Sequence, residues 1–246
     1  MVEERRRRGV MEIAHGASRR QRRRAIPVAL LLVLGAGSAV AAWASSSAGP
    51  SSSPGPEGVR VYDVADLAPA STTVGGTPVG AVTCQTQAKE VVKYHIHTYV
   101  SVYVDGRRLR VPAGVGMTQP SSIQHYSTGP YYDVGLYNCL YWIHTHVSDG
   151  VVHVEAPRKE SFTLGQFFDV WGQPLGADQA GPARGPVVVF ENGRRLTGDP
   201  RSTPLMPHGV IQIDVGRPVV AFQPVTYKVK GGCGQGTLGC STPKQK

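Results

Sequence analysis

The stretch "IHTHVSDGVVHVE", residues 143–155, places three histidines and a glutamate in thirteen positions, and "YHIHTYV", residues 94–100, adds two more histidines. Side chains two residues apart point to the same face of a β-strand. With Asp149-Gly150 as a two-residue turn, His146 stands opposite His153, and His144 opposite Glu155, all on one face. In the strand over 90–104, Val92, Ile96, Val100, Val102 and Val104 share one parity, suited to a core. His95, His97, Tyr99 and Tyr103 share the other. If the two strand segments are neighbours, five imidazoles and a carboxylate converge. Gathered imidazoles repel one another when protonated, and when neutral and buried they need partners for their ring nitrogens. A divalent ion answers both demands, and imidazole suits zinc and copper.

The residue types therefore predict Zn2+ or Cu2+ held by a selection from His95, His97, His144, His146 and His153. The first set is His144, His146 and one of His95 or His97, with His153 next. Glu155 is the candidate for orienting a ligand ring or acting as a base on metal-bound water. Three histidines with an open position would suit a zinc hydrolase or hydratase, whereas four or five would close the site for binding alone. A hydrogen-bonded His/Tyr network in a cell-envelope structural or interaction module is the metal-free alternative. His15, His125 and His208 fall outside the pattern.

The elements that must carry these residues read as strands. "VYVDGRRL" and "VFENGRRL" each end a Val/Ile/Tyr/Phe-rich run in an Asp-Gly or Asn-Gly turn, at Asp105-Gly106 and Asn192-Gly193. Such dipeptides favour tight hairpins. Residues 209–216 and 225–229 read as further strands. Thr163 caps one helix, with Gln166 three residues on; Leu164, Phe167, Phe168 and Trp171 give its core face, and Gly172 ends it. Residues 112–135, rich in Pro, Gly and Ser, read as a surface loop. The fold class expected is mostly β, an antiparallel sandwich or open barrel with one short helix.

Of the net charge of +9, residues 1–24 carry nine arginines against three glutamates, so most of the basicity is local. No basic face is left on the rest of the chain, which argues against nucleic acid as a partner. Residues 25–44, "AIPVALLLVLGAGSAVAAWA", lack charge over a length that spans a bilayer. They read as a transmembrane anchor or uncleaved signal, with residues 1–24 a cytoplasmic tail by the positive-inside rule. Cleavage after Ala44 is the alternative. Residues 45–57 read as a Ser/Pro/Gly linker and 58–246 as an extracytoplasmic domain. In that compartment the four cysteines are expected to pair as Cys84–Cys139 and Cys233–Cys240, one of three possible pairings, with a soft metal ligand near His144 as the rival role for Cys139.

"YHIHTYVSVYVDG", "VPAGVGM", "YWIHTHVSDGVVHVEAP" and "FTLGQFFDVWG" together resemble a family of exported or membrane-anchored bacterial proteins with paired His-x-His strands and a Leu-Gly-x-Phe-Phe helix. The resemblance spans residues 80–230 and implies one histidine module, but no activity. An aspartate is expected after His-Thr-His in such proteins, and Val147 stands there in this chain. His144, His146 and His153 also echo the zinc ligands of alpha-type carbonic anhydrases, although nothing else in the chain matches them.

Overall fold

A computed structural model describes residues 49–70, 75–118, 122–135 and 138–227. The expected cytoplasmic tail, the anchor, His15 and the Cys233–Cys240 pairing lie outside them.

In chain order the strands are β1 (Ser52–Pro54), β2 (Arg60–Tyr62), β3 (Cys84–Thr86), β4 (Tyr94–Val104), β5 (Arg107–Leu109), β6 (Ser122–Tyr126), β7 (Gly129–Asp133), β8 (Cys139–Tyr141), β9 (Ile143–His144) and β10 (Val151–Ala156). After helix α1 (Leu164–Trp171) come β11 (Gln179–Ala180), β12 (Ala183–Arg184), β13 (Val187–Glu191), β14 (Arg194–Arg195) and β15 (Gly209–Val215). The main sheet runs β14-β13-β15-β4-β10-β9, with β5 also pairing β4. The chain is mostly β, as expected, but the sheet is mixed. β15 lies parallel to β4, from Gly209 opposite Thr98 to Val215 opposite Val104. A long connection through α1, β13 and β14 separates the two strands, which is the length a parallel pair requires.

Period-two patterning sorts this sheet cleanly. Ile96, Val100 and Val102 of β4, Val152 and Val154 of β10, and Ile211 and Ile213 of β15 join one core with Phe167, Phe168 and Trp171 of α1. The helix forms where its caps dictate. The Thr163 hydroxyl accepts from Gln166 N, the Gln166 side chain accepts from Thr163 N, and Gly172 closes the last turn at φ 71°. Its aromatic face is buried, as the spacing predicts.

The opposite face of β4 and β10 carries His95, His97, His153 and Glu155, and it is covered as well. Two segments expected to be unstructured supply part of that cover. Within the expected 45–57 linker, β1 forms and pairs with β2 just beyond it, and Glu57 is 2% exposed. The hydrogen bond from Gly55 N to Val59 O explains the turn between the strands, and Arg60 ties it to Ser52 through both the side chain and the backbone carbonyl. Within the expected surface loop 112–135, β6 and β7 form a hairpin, while Val115, Met117 and Tyr131 are buried. Residues 225–227, expected in a strand, have no strand pairing. Tyr227 instead docks its hydroxyl on the carbonyl oxygens of His97 and Gly209. A disulfide joins Cys84 of β3 to Cys139 of β8, with Cα atoms 5.4 Å apart. It pins the chain just ahead of the first histidine of the hairpin.

Candidate metal centre

Three histidines lie side by side across three adjacent strands. His153 of β10 is paired with His97 of β4 on one flank and with His144 of β9 on the other. Glu155 is opposite His95. The expected hairpin register, His146 with His153 and His144 with Glu155, is therefore displaced by two residues, which preserves the face but changes the neighbours. The cause lies beyond β9. Thr145 N donates to Val115 O, Gly114 N donates to Thr145 O, and Tyr132 N donates to His146 O. The Thr145 hydroxyl donates to Pro112 O and accepts from Val115 N. Residues 112–118 and β7 thus take the backbone partners that a tight hairpin would have used.

The rings remain together. His153 has ring centroids 4.5 Å from His97, 4.7 Å from His146, 5.3 Å from His144 and 6.0 Å from His95. His144, His146 and His153 are 0–3% exposed, Glu155 is 8% exposed, and His95 and His97 are half-buried. The side chains of His125, in β6, and His208, in a turn whose backbone N–H donates to His97 O, are exposed.

Hydrogen bonds fix which ring nitrogen faces the centre. A carbonyl oxygen only accepts, so a ring nitrogen bonded to one must carry a proton. His144 Nδ1 meets Tyr141 O at 2.8 Å, and His146 Nδ1 meets Tyr132 O at 2.7 Å. Both therefore donate through Nδ1. Burial lowers the His144 pKa to about 4, and burial with the neighbouring His144 and His153 rings holds His146 well below the usual range. Each neutral ring then turns a lone pair inward at Nε2, and these two atoms are 3.0 Å apart. Two nitrogens bound to one tetrahedral zinc at about 2.0–2.1 Å would be about 3.3 Å apart. Tyr131 stacks on His146 at 4.2 Å and holds that ring in place.

His153 is oriented by a residue that the spacing argument does not find. Its Nε2 lies 2.8 Å from Glu57 Oε1, to which it donates, and its buried Nδ1 has no hydrogen-bond partner. Glu155 Oε1 lies 3.6 Å from that Nδ1 and 3.0 Å from His95 Nε2. A carboxylate behind a ligand imidazole is the usual means of fixing its orientation. The signal for Glu57 was present but faint: it is the lone acid in the Ser/Pro/Gly stretch, just before the alternating run "VRVYDV". Burial alone would lower the His153 pKa. The Glu57 charge, the hydrogen bond to Glu57 and the nearby Glu155 carboxylate outweigh it and raise the pKa to about 10. Burial would likewise raise Glu155, but the adjacent His153 and His95 rings carry it well below the usual carboxylate range. Burial, with the adjacent His153 and His95 rings, pushes His97 down to about 2.

Donor atoms of His144, His146, His153 and Glu155 lie within 4.8 Å of one another, as do those of His95, His97 and His153. The fold and site thus define a mostly β chain with a buried His/Glu cluster able to hold a metal ion. No protein-family model, curated protein or solved structure matches this chain.

Proposed function

We propose that this protein binds a transition metal, Zn2+ or Cu2+, through His144 Nε2, His146 Nε2, His153 Nδ1 and Glu155, tethered outside a cytoplasmic membrane by residues 25–44. One observation carries the reading. Two buried, neutral imidazoles aim lone pairs at each other across 3.0 Å while their other nitrogens are tied to backbone carbonyls. That contact is repulsive without a cation between the nitrogens and attractive with one. Binding is favoured over hydrolysis because the three ligand rings are 0–3% exposed, which leaves little access for a substrate. The tether rests on the uncharged run 25–44 and the arginines before it.

The test is elemental analysis of the purified full chain after loading with zinc or copper and desalting. Stoichiometric metal is expected in the wild type and loss of the buried ion in a His144→Ala/His146→Ala variant. A wild-type chain that stays metal-free in both ions contradicts the proposal. Chelator-sensitive turnover would move the assignment to the hydrolase.

A further inference from the structure

The donors of this cluster outnumber the needs of one ion. Five imidazoles and a carboxylate make six donor groups, whereas zinc is held by four. They also sort into two sets rather than one. His144, His146, His153 and Glu155 form the buried set; His95 and His97, with His153, form the other. His153 cannot serve both sets at once, because its Nε2 is committed to Glu57 and only Nδ1 is free. Glu155 can, because it has two oxygens. His95 Nε2 is 3.0 Å from His97 Nε2 and 3.0 Å from Glu155 Oε1. Both lie near the separation of about 3.3 Å expected between two donors on one cation with bonds of about 2 Å.

We propose that the cluster is a dinuclear centre for divalent transition metals, bridged by Glu155. It rests on the metal-binding reading above and extends it from one ion to two. His144, His146 and His153 hold the buried ion. His95 and His97 hold the second, with Glu155 spanning both and water filling the remaining positions on the second ion. The second seat lies nearer solvent, since the His95 side chain is 18% exposed while that of His153 is 0%. Ions sharing a carboxylate in such centres lie about 3.5–4 Å apart.

The full chain is loaded with excess Zn2+, desalted and analysed for metal per chain, beside a His95→Ala/His97→Ala variant. Two ions in the wild type and one in the variant are expected. One ion in both would overturn the dinuclear centre and leave the metal-binding reading intact, whereas none in the wild type would overturn both. Two ions in both would place the second ion elsewhere and also overturn it. Copper titration of the wild type keeps the proposal testable if the variant does not fold. The first equivalent of Cu2+ is expected to give an isolated-ion paramagnetic resonance spectrum, and the second to broaden or quench it by coupling. A second equivalent that simply doubles the isolated signal would overturn the bridge.

Discussion

Val104 pairs with Arg107 across Asp105-Gly106, and Glu191 pairs with Arg194 across Asn192-Gly193, but no such pair closes over Asp149-Gly150. The first two turns adopt left-handed φ at both central residues, 48° and 75° in one, 50° and 85° in the other. That is the twist a two-residue hairpin requires. At the third, only Gly150 is left-handed, at 95°, and the Asp149 carboxylate accepts from Val151 N. The flanking strands decide the difference. The backbones of Arg107 and Arg194 join their own hairpin ladders, whereas Thr145 and His146 are claimed by residues 114–115 and by Tyr132. A turn dipeptide fixes a hairpin only where nothing else bids for the strand ends. Opening the third hairpin lets His146 Nε2 swing to face His144 Nε2.

The strongest way to break this contrast is Gly116→Ala. Gly116 has φ 76°, and a Cβ there would overlap the Ile143 carbonyl oxygen and lie 3.0 Å from His144 Cβ. A left-handed alanine costs about 1–2 kcal/mol, and the backbone overlap should raise the loss to about 3 kcal/mol or more. Denaturant unfolding measures the stability, and metal analysis should show the buried ion lost.

Glu57→Gln probes the cover over the opened hairpin. It keeps an acceptor for His153 but removes the charge, and zinc affinity is expected to fall about 10–100-fold. Competition with a chromogenic chelator reads it; unchanged affinity would separate Glu57 from the centre.

The pH dependence of binding sharpens the ring assignments. His97 and His144, lowered to about 2 and about 4, are neutral near pH 7 and have no proton to release. His153, raised to about 10, carries an extra proton there and must lose it for Nδ1 to bind metal. Affinity should therefore rise with pH, about tenfold per unit from neutrality toward pH 10, with about one proton released by the buried ion. Calorimetry in buffers of different ionisation enthalpy counts that proton.

The smallest effect is expected at a closed hairpin. Gly193→Ala meets only ordinary contact with Phe222 at 3.6 Å, so its left-handed φ should cost about 1 kcal/mol and leave metal binding unchanged.

The faces of β4 and β10 were legible in the sequence because period two separates Ile96, Val100 and Val154 from His97, His153 and Glu155, even though Thr98 and Val151 break the polar/apolar pattern. The helix was legible because Thr163, Gln166 and Gly172 mark both ends. Register was not, since the partners that displace it come from a Gly/Pro-rich segment 30 residues earlier whose backbone, not its side chains, does the pairing. The parallel union of β15 with β4 leaves no local mark, because it is a contact between segments more than a hundred residues apart. Glu57 was hidden in a composition that usually stays solvated.

X-ray absorption at the metal edge of the zinc-loaded full chain tests the central claim most directly. Imidazole ligation at about 2.0 Å, falling in number when His144 and His146 are replaced by alanine, is the predicted result. A spectrum with only oxygen neighbours, identical in the wild type and that variant, would contradict it.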